Sequence, residues 1–563
     1  MTSSLHNAIP HNAIERLAVM ALDIFDDPVP CPRCHSTETR VLPFSEQITI
    51  WHWFLRCACG HEWTIAKHAS AERRPDQPQG KETMKPMKMT TPIALSITTP
   101  ESVESRIGTL KFFDGFPDDS TVQKVYDNLD FMRGVDAFLN AIPGASTEAI
   151  RAGFAGQGAD NNQTVLIMEN LMDSKSLFLT PNTESIYNMM WVDTKSGPVV
   201  METPPNVLGV IDDHWFQYVA DFGRLGPDKN KGGKFLLLPP GYTGEVPEGY
   251  FVLRSRTYGN LVFWRGFLEN GSTKPAVKAS KKFTKVYRLS DAKNPSPMKF
   301  INVSGNAFNT IGANDFQFYD DVNNVVQYEP NEAYSPEILG TLAAIGIEKG
   351  KPFAPDARMK KILTEAVAVG NATARAIVFR SRQKEAYDYP NSAWFTCFIG
   401  GNYEFLSQPG VRDLDARVHF MYYATGVTPA MALKKVGLGS QYAAAATDSE
   451  GKPLDGGKTY KIHLPPNIPA KDFWSFVAYD NQTRSMLQTD QQFPSIGSQK
   501  EGIVVNADSA VDVWFGPAAP KGHEANWVQT VPHKGWSVLL RLYGPLQPWF
   551  DKTWKPGEFE LVK

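Results

Sequence analysis

The sequence predicts a mainly β fold with α insertions: two β-sandwich or jelly-roll-like domains, preceded by a small zinc-ribbon-like module. Three observations lead there. Aromatic residues make up 12% of the 563, and 43 Gly and 41 Pro punctuate the chain, a composition that favours many short elements joined by turns. Short apolar runs bounded by Pro, Gly, Asn and Asp recur in two stretches, about 176–287 and 460–543. Four of the five cysteines fall between Cys31 and Cys59. The length suits two or three domains. The divisions read as a module at 1–70, a linker at 71–91, a helix-plus-β domain at 92–325, a helical connection at 326–450 and a β-rich domain at 451–563.

The cysteines pair as Cys31-x-x-Cys34 and Cys57-x-Cys59. Zinc takes four soft or borderline ligands in a tetrahedron, which two cysteine pairs on neighbouring hairpin tips supply. The second pair is one residue tighter than a ribbon's usual knuckle, and His35 or His61 can replace a sulfur. The spacing favours a structural zinc in this module over reduced thiols in a degenerate one, and no cofactor is evident in the main body. From Ala71 to Thr91, Pro, Gln, Lys and Met without apolar periodicity mark the linker.

The main body opens with a helix. Ser120-x-x-Gln123 has the form of a capping box, and Val122, Val125, Tyr126, Leu129, Met132, Val135 and Leu139 recur at helical spacing until Pro143-Gly144 is expected to stop the run. A second helix is expected from Ser335-Pro336 to Gly346, and a third from about Asp356 to Arg380. Between and around them, Trp191-Val192-Asp193, Gly209-Val210-Ile211, Phe235 to Leu238 and Leu261 to Trp264 read as strands of the first β region. Phe473 to Tyr479 reads as a strand of the second, with Ile503-Val504-Val505 and Val511 to Phe515 as a strand pair.

Charge excludes some functions. Lys+Arg 57 against Asp+Glu 60 gives a net charge of -3, and neither sign forms a stripe suited to nucleic acid. No run approaches the roughly 20 apolar residues of a spanning helix, and no basic start precedes an apolar core, so a soluble, cytoplasmic product is expected. A homo-oligomer is compatible with these features. The G-x-S-x-G, P-loop, H-E-x-x-H and strand-following G-x-G-x-x-G motifs are missing from the sequence, which lowers the weight of the corresponding enzyme classes.

The remaining polar candidates form three groups. In the first, Pro181 biases Thr180 away from helix, and a following strand would put Asn182 and Glu184 on one face near Tyr187. These can bind a polar ligand or act as acid and base, whereas the structural alternative is a turn capped by Asn182 with Glu184 paired to an arginine. In the second, Asp212-Asp213-His214 offers metal ligands or a base at His214, against a solvated acidic turn. In the third, Arg256, Arg265 and Arg541, with Arg254, offer guanidinium forks to an anion. Arg541 lies in an apolar strand and must either be paired or open onto a pocket. Asp415 and His419, at i and i+4, leave the same two readings open, a functional pair or simply a helix-face pair. Cys397 reads as a buried, inert thiol, and most of the tryptophans as core.

Several of these segments carry a resemblance. Thr180-Pro181-Asn182-Thr183-Glu184-Ser185-Ile186-Tyr187, followed by Trp191-Val192-Asp193, resembles a T-P-N-x-D-T-x-Y pattern. Asp472-Phe473-Trp474-Ser475, Gly516-Pro517, Asn526-Trp527 and Arg541-Leu542-Tyr543-Gly544-Pro545 continue it. From about Ile107 onward the chain resembles a bacterial family built from two domains of unknown function, numbers 1254 and 1214. The resemblance implies two β-rich domains and relatives that are commonly exported or periplasmic, and it places Asp193 beside the first motif as a ligand-binding candidate. It implies no reaction. The sequence leaves enzyme and binding protein both open. The leading expectation is binding, with hydrolysis or other acid/base chemistry, of a small polar or anionic organic molecule in an interdomain cleft. The alternative is a non-catalytic ligand-binding or envelope structural protein.

Overall fold

In the computed structural model, which describes residues 39–41, 52–57, 62–66, 88–432 and 434–562, the chain divides into two units, Met1–Ile97 and Thr98–Lys563. In the first unit, Thr39–Val41, His52–Cys57 and Glu62–Ala66 form an antiparallel sheet in that order. Cys31, Cys34 and Cys59 lie outside the described residues, as does the side chain of Cys57.

The second unit is mainly β with several helices. A six-stranded sheet runs in the order Tyr218–Gly223, Val207–Asp213, Gly259–Phe267, Ser185–Asp193, Thr164–Ile167, Lys299–Asn302. Alternation along its strands sends successive side chains to opposite faces. Met190, Val192, Val262 and Trp264 share one apolar cluster with Val199, Met201, Phe235 and Leu237 of a four-stranded sheet. Near the C-terminus, Ser440–Ala445, Trp536–Pro545, Ala470–Asp480 and Ser495–Gly497 form another sheet. Its Phe476, Val538 and Leu540 share a cluster with Ile462, Val513 and Phe515 of a fourth.

The remaining faces of the six-stranded sheet and the Trp536–Pro545 sheet meet in a third cluster. Tyr187, Met189 and Phe263 from one, and Val477 and Leu539 from the other, pack there with helix residues such as Phe138, Leu363 and Phe420. Each fully buried side chain of this size stabilises the fold by roughly 1.5–3 kcal/mol. This central layer positions the candidate site.

Helix signals fare unevenly. Ser335 caps Pro336–Ala344, accepting from Ile338 N at 3.3 Å, and Gly346 follows at φ +94°. Asp356 caps Ala357–Phe379, accepting from Met359 N at 2.7 Å. Among the described residues this second helix is the one long and apolar enough to cross a membrane. Here it packs on the first helix through Leu363 and Ala366 at Gly134 and through Gly370 at Phe138.

Pro143-Gly144 does not stop the first helix, which runs from Asp119 to Gly156 with Pro143 inside it. Its cap is Asp118, accepting from Thr121 N at 2.7 Å, not Ser120. A mid-helix proline costs about 3 kcal/mol, and complete burial of Ala141 to Thr147 offsets it. Gly144 is required there because a Cβ would lie 2.2 Å from the Trp215 ring. Gly144→Ala is therefore expected to destabilise the protein by about 1–3 kcal/mol through overpacking, read as a lower urea midpoint with unchanged slope.

Three other expectations are corrected. Ile503-Val504-Val505 forms no strand, because the Asn526 side chain accepts from Val504 N (2.9 Å) and donates to Val504 O (2.7 Å), replacing a partner strand. Ser440–Ala445 is a strand within the stretch read as helical connection. Asp415 pairs with Arg382 at 2.9 Å, while His419 is fully buried against Ile377 O, so the two do not form a helix-face pair.

Candidate functional site

The β register assembles the site. On the six-stranded sheet Arg265 stands opposite Tyr187 on one side and Leu208 on the other. On the Trp536–Pro545 sheet Arg541 stands opposite Tyr442. These side chains line one cavity, walled by Phe263, Phe398, Phe420 and Leu539, of which about 60 Å³ is open to the centre of a water molecule. A water needs roughly 10–15 Å³ on that measure, so the space suits a small molecule.

Both arginines are deeply buried, Arg265 at 7% exposure and Arg541 at 4%. Burying a guanidinium without a counter-charge is costly, and neither lies within 4 Å of a carboxylate among the described residues. Arg541 is partly satisfied: its Nη2 donates to Thr180 O (2.5 Å), Pro181 O (3.2 Å) and the Tyr479 hydroxyl (2.7 Å). Its Nε has no partner among the described residues. Arg265 makes no hydrogen bond or ion pair among the described residues. Around the two, the buried hydroxyls of Tyr442 and Thr425, both on the cavity wall, also have no partner among the described residues.

Asp221 adds an acid to the same wall. It accepts from Thr428 Oγ1 at 2.7 Å, yet burial pushes its pKa up to about 6, with the Thr428 and Tyr218 hydroxyls opposing the rise. Beside it Asp212 is raised well above the ordinary carboxylate range by burial, against one bond from Val427 N. Cys397 also lines the cavity, and burial pushes its thiol up to about 12, consistent with an inert group.

The Asn182 segment frames the cavity without entering it. Asn182 is fully buried, and its Oδ1 accepts from Glu184 N, Ser185 N and Ser185 Oγ at 2.9–3.1 Å. The strand begins only at Ser185, so Asn182 and Glu184 belong to a turn and do not share a strand face. Glu184 accepts from Thr183 Oγ1 at 2.8 Å and pairs with no arginine among the described residues. Tyr187, whose hydroxyl accepts from Asn182 N at 3.1 Å, is the member that reaches the wall.

The acidic triplet separates. Asp212 turns to Val427, Asp213 accepts from Trp215 N and Gln217 N at 2.8 Å each, and His214 turns to Glu329 at 2.7 Å. Consecutive residues diverge, and among the described residues no three His, Cys, Asp or Glu side chains gather as metal ligands. His214 and Asp193 line a different, polar cleft. Arg256 is exposed, 3.9 Å from Asp213, and reaches neither place. Arg254 is exposed as well.

Sequence reasoning missed Asp221, Tyr442, Glu148 and Glu329. Asp221 carried a signal: a carboxylate between Ala220 and Phe222 in an apolar strand. The two glutamates carried none, since their significance lies in contacts distant in sequence.

The family described as Protein of unknown function (DUF1254) matches residues 162–288, and that described as Protein of unknown function (DUF1214) matches residues 439–547. Tyr187, Asp221 and Arg265 come from the first stretch, Tyr442 and Arg541 from the second. No curated protein matches the chain. A crystal structure of a Vibrio parahaemolyticus protein is similar over 76% of this chain and 100% of its own, at 20% identity and TM-score 0.45. A crystal structure of an uncharacterised Burkholderia cenocepacia protein is similar over 79% of this chain and 97% of its own, at 12% identity and TM-score 0.34. The chain thus carries, in this order, a segment matching the DUF1254 family and a segment matching the DUF1214 family.

Proposed function

We propose that this protein binds a small anionic organic molecule, a short carboxylate with an apolar body, in the cavity between the two matched segments. The observation that carries the reading is the pair of buried arginines, Arg265 and Arg541, converging on one cavity without a carboxylate partner among the described residues. A ligand carboxylate supplies the missing counter-charge and accepts from guanidinium forks, while Phe263, Phe420 and Leu539 take the carbon chain. The same reading takes each pair of packed sheets as a β-sandwich. It keeps a structural zinc on Cys31, Cys34, Cys57 and Cys59, on the strength of their spacing. Calorimetric titration with acetate, propionate and butyrate tests the ligand class. Saturable binding that strengthens with chain length supports it, and no binding of any member at tens of millimolar sinks it.

Asp221 gives the site a proton near pH 6. Ionised, it repels an incoming carboxylate, and protonated, it can donate to one. Affinity for propionate is therefore expected to rise as pH falls from 8 through 6, and Asp221→Asn to flatten that profile, as a titration series across pH would show. Stability follows the same sign. A carboxyl raised from 3.8 to about 6 costs the folded state about 3 kcal/mol above pH 6, relieved as pH falls from 6 toward 4. If the ligand is also transformed, Asp221 is the acid placed to assist, and Asp221→Asn retains binding while losing turnover.

A further inference from the structure

Trp191 lies four residues beyond Tyr187 on the same face of its strand. Where Tyr187 meets the arginine cavity, Trp191 meets a separate cleft of about 920 Å³. The floor of this cleft is built from buried groups: Glu148 at 3% exposure, His214 at 1% and Trp191 at 7%. The Trp191 ring stands edge-on to His214, with centroids 4.6 Å apart.

Glu329 fixes the imidazole from behind. Completely buried, it accepts from His214 Nδ1 (2.7 Å), Gly259 N (3.0 Å) and Tyr258 N (2.5 Å). The His214 backbone is held as well, donating to Thr257 Oγ1 at 2.9 Å and accepting from Thr147 Oγ1 at 2.8 Å. With Nδ1 committed, Nε2 is the free edge of the ring. It lies 3.4 Å from Glu148 Oε2 but makes no hydrogen bond among the described residues. Arg151 meanwhile clamps Glu148 through two 2.7 Å bonds.

An oxygen about 2.8 Å from both Nε2 and the Glu148 carboxylate completes this triangle with ordinary hydrogen-bond lengths. The Glu148 and Glu329 carboxylates flank the ring and, against burial, favour its imidazolium form, so a hydroxyl fits, because it accepts from Nε2–H and donates to the Glu148 carboxylate. A carboxylate or phosphate oxygen has no proton to give and meets the Glu148 charge, and an ammonium has no lone pair for Nε2–H. The rim agrees. It offers Gln163, Ser196 and Asn324, and its two arginines face four carboxylates, Glu148 included. With the His214 imidazolium counted, three cations nearly balance these four anions, and hydrogen-bonding groups of both kinds suit a neutral partner.

We propose that this cleft is a second binding site, for a neutral hydroxyl-rich molecule such as a sugar or polyol, with one hydroxyl seated between His214 Nε2 and Glu148. The test uses the full chain, D-glucose and sorbitol as probes, and the histidine side-chain nitrogen resonances, with His214 assigned by its loss in His214→Gln or, if that variant does not fold, by its response to Glu148→Gln. A saturable shift of the His214 Nε2 resonance by either probe is expected, unchanged in Arg265→Met, whose substitution lies in the other cavity. Glu148→Gln should weaken binding about tenfold, the loss of one hydrogen bond to a charged group. Exposed Asn324→Ala, which leaves the floor intact, should weaken it by a factor of about three to ten, as for a neutral hydrogen bond. No saturable shift with either probe, an acetate response equal to theirs, or unchanged affinity in both variants would overturn the proposal.

Discussion

Arg265→Met is expected to make the protein more stable and to abolish carboxylate binding in the same step. The guanidinium is 7% exposed and has no hydrogen bond or ion pair among the described residues, so the unliganded protein bears a desolvation cost with little return. Replacing a buried ion pair by apolar side chains of similar volume is often neutral or gains about 1–4 kcal/mol; removal of a guanidinium without a counter-charge is expected to act in the same direction, and the unbranched Met follows the arginine stem. Two charge-assisted hydrogen bonds lost to a ligand carboxylate weaken binding about a hundredfold or more. Arg541→Met provides the contrast. It removes the donor to Thr180 O, Pro181 O and the Tyr479 hydroxyl, so it should lower stability while also abolishing binding. Urea unfolding of the three proteins, paired with propionate titrations, separates the outcomes. A loss of stability in Arg265→Met would mean that the guanidinium is satisfied by the fold itself.

Glu329→Ala should destabilise the protein by about 3–5 kcal/mol, the range for breaking a buried charge pair from one side. Three donors converge on this carboxylate, and its removal leaves the His214 ring and two backbone N–H groups buried without an acceptor. The neighbouring Glu148 makes the cluster sensitive to acid. Burial alone would raise its pKa, but Arg151 and His214 outweigh burial and hold it at about 2, against an ordinary 4.5. A depressed carboxyl stabilises the fold above its unfolded pKa, so about 3 kcal/mol is expected to be lost as pH falls from 4.5 toward 2. Glu148→Gln should flatten that acid limb in a pH series of unfolding midpoints.

Much of the strand content was legible because apolar runs and Pro/Gly turns are local signals. The Ser335 and Asp356 caps were legible for the same reason. Pro143 misled because its local penalty is offset by burial of the helix around it, where Gly144 meets the Trp215 ring, a contact with no local trace. Ser440–Ala445 was missed because alanine has little strand preference, and pairing with Trp536–Pro545 decides its conformation. At the site, Arg541 announced itself as a charge in an apolar strand, and Tyr187 and Arg265 were found as residue types. Their convergence follows from cross-strand register and from the packing of two sheets distant in sequence. Glu184 drew attention through its motif, yet it belongs to the turn that Asn182 caps and does not line the cavity.

The most direct measurement is a crystal structure of the wild-type protein grown with propionate. The carboxylate should lie within hydrogen-bond distance of both Arg265 and Arg541, with its ethyl group against Phe263 and Phe420. An Arg265 side chain turned to pair with Asp221, in a cavity that holds no propionate, would contradict the assignment of this cavity as an anion site.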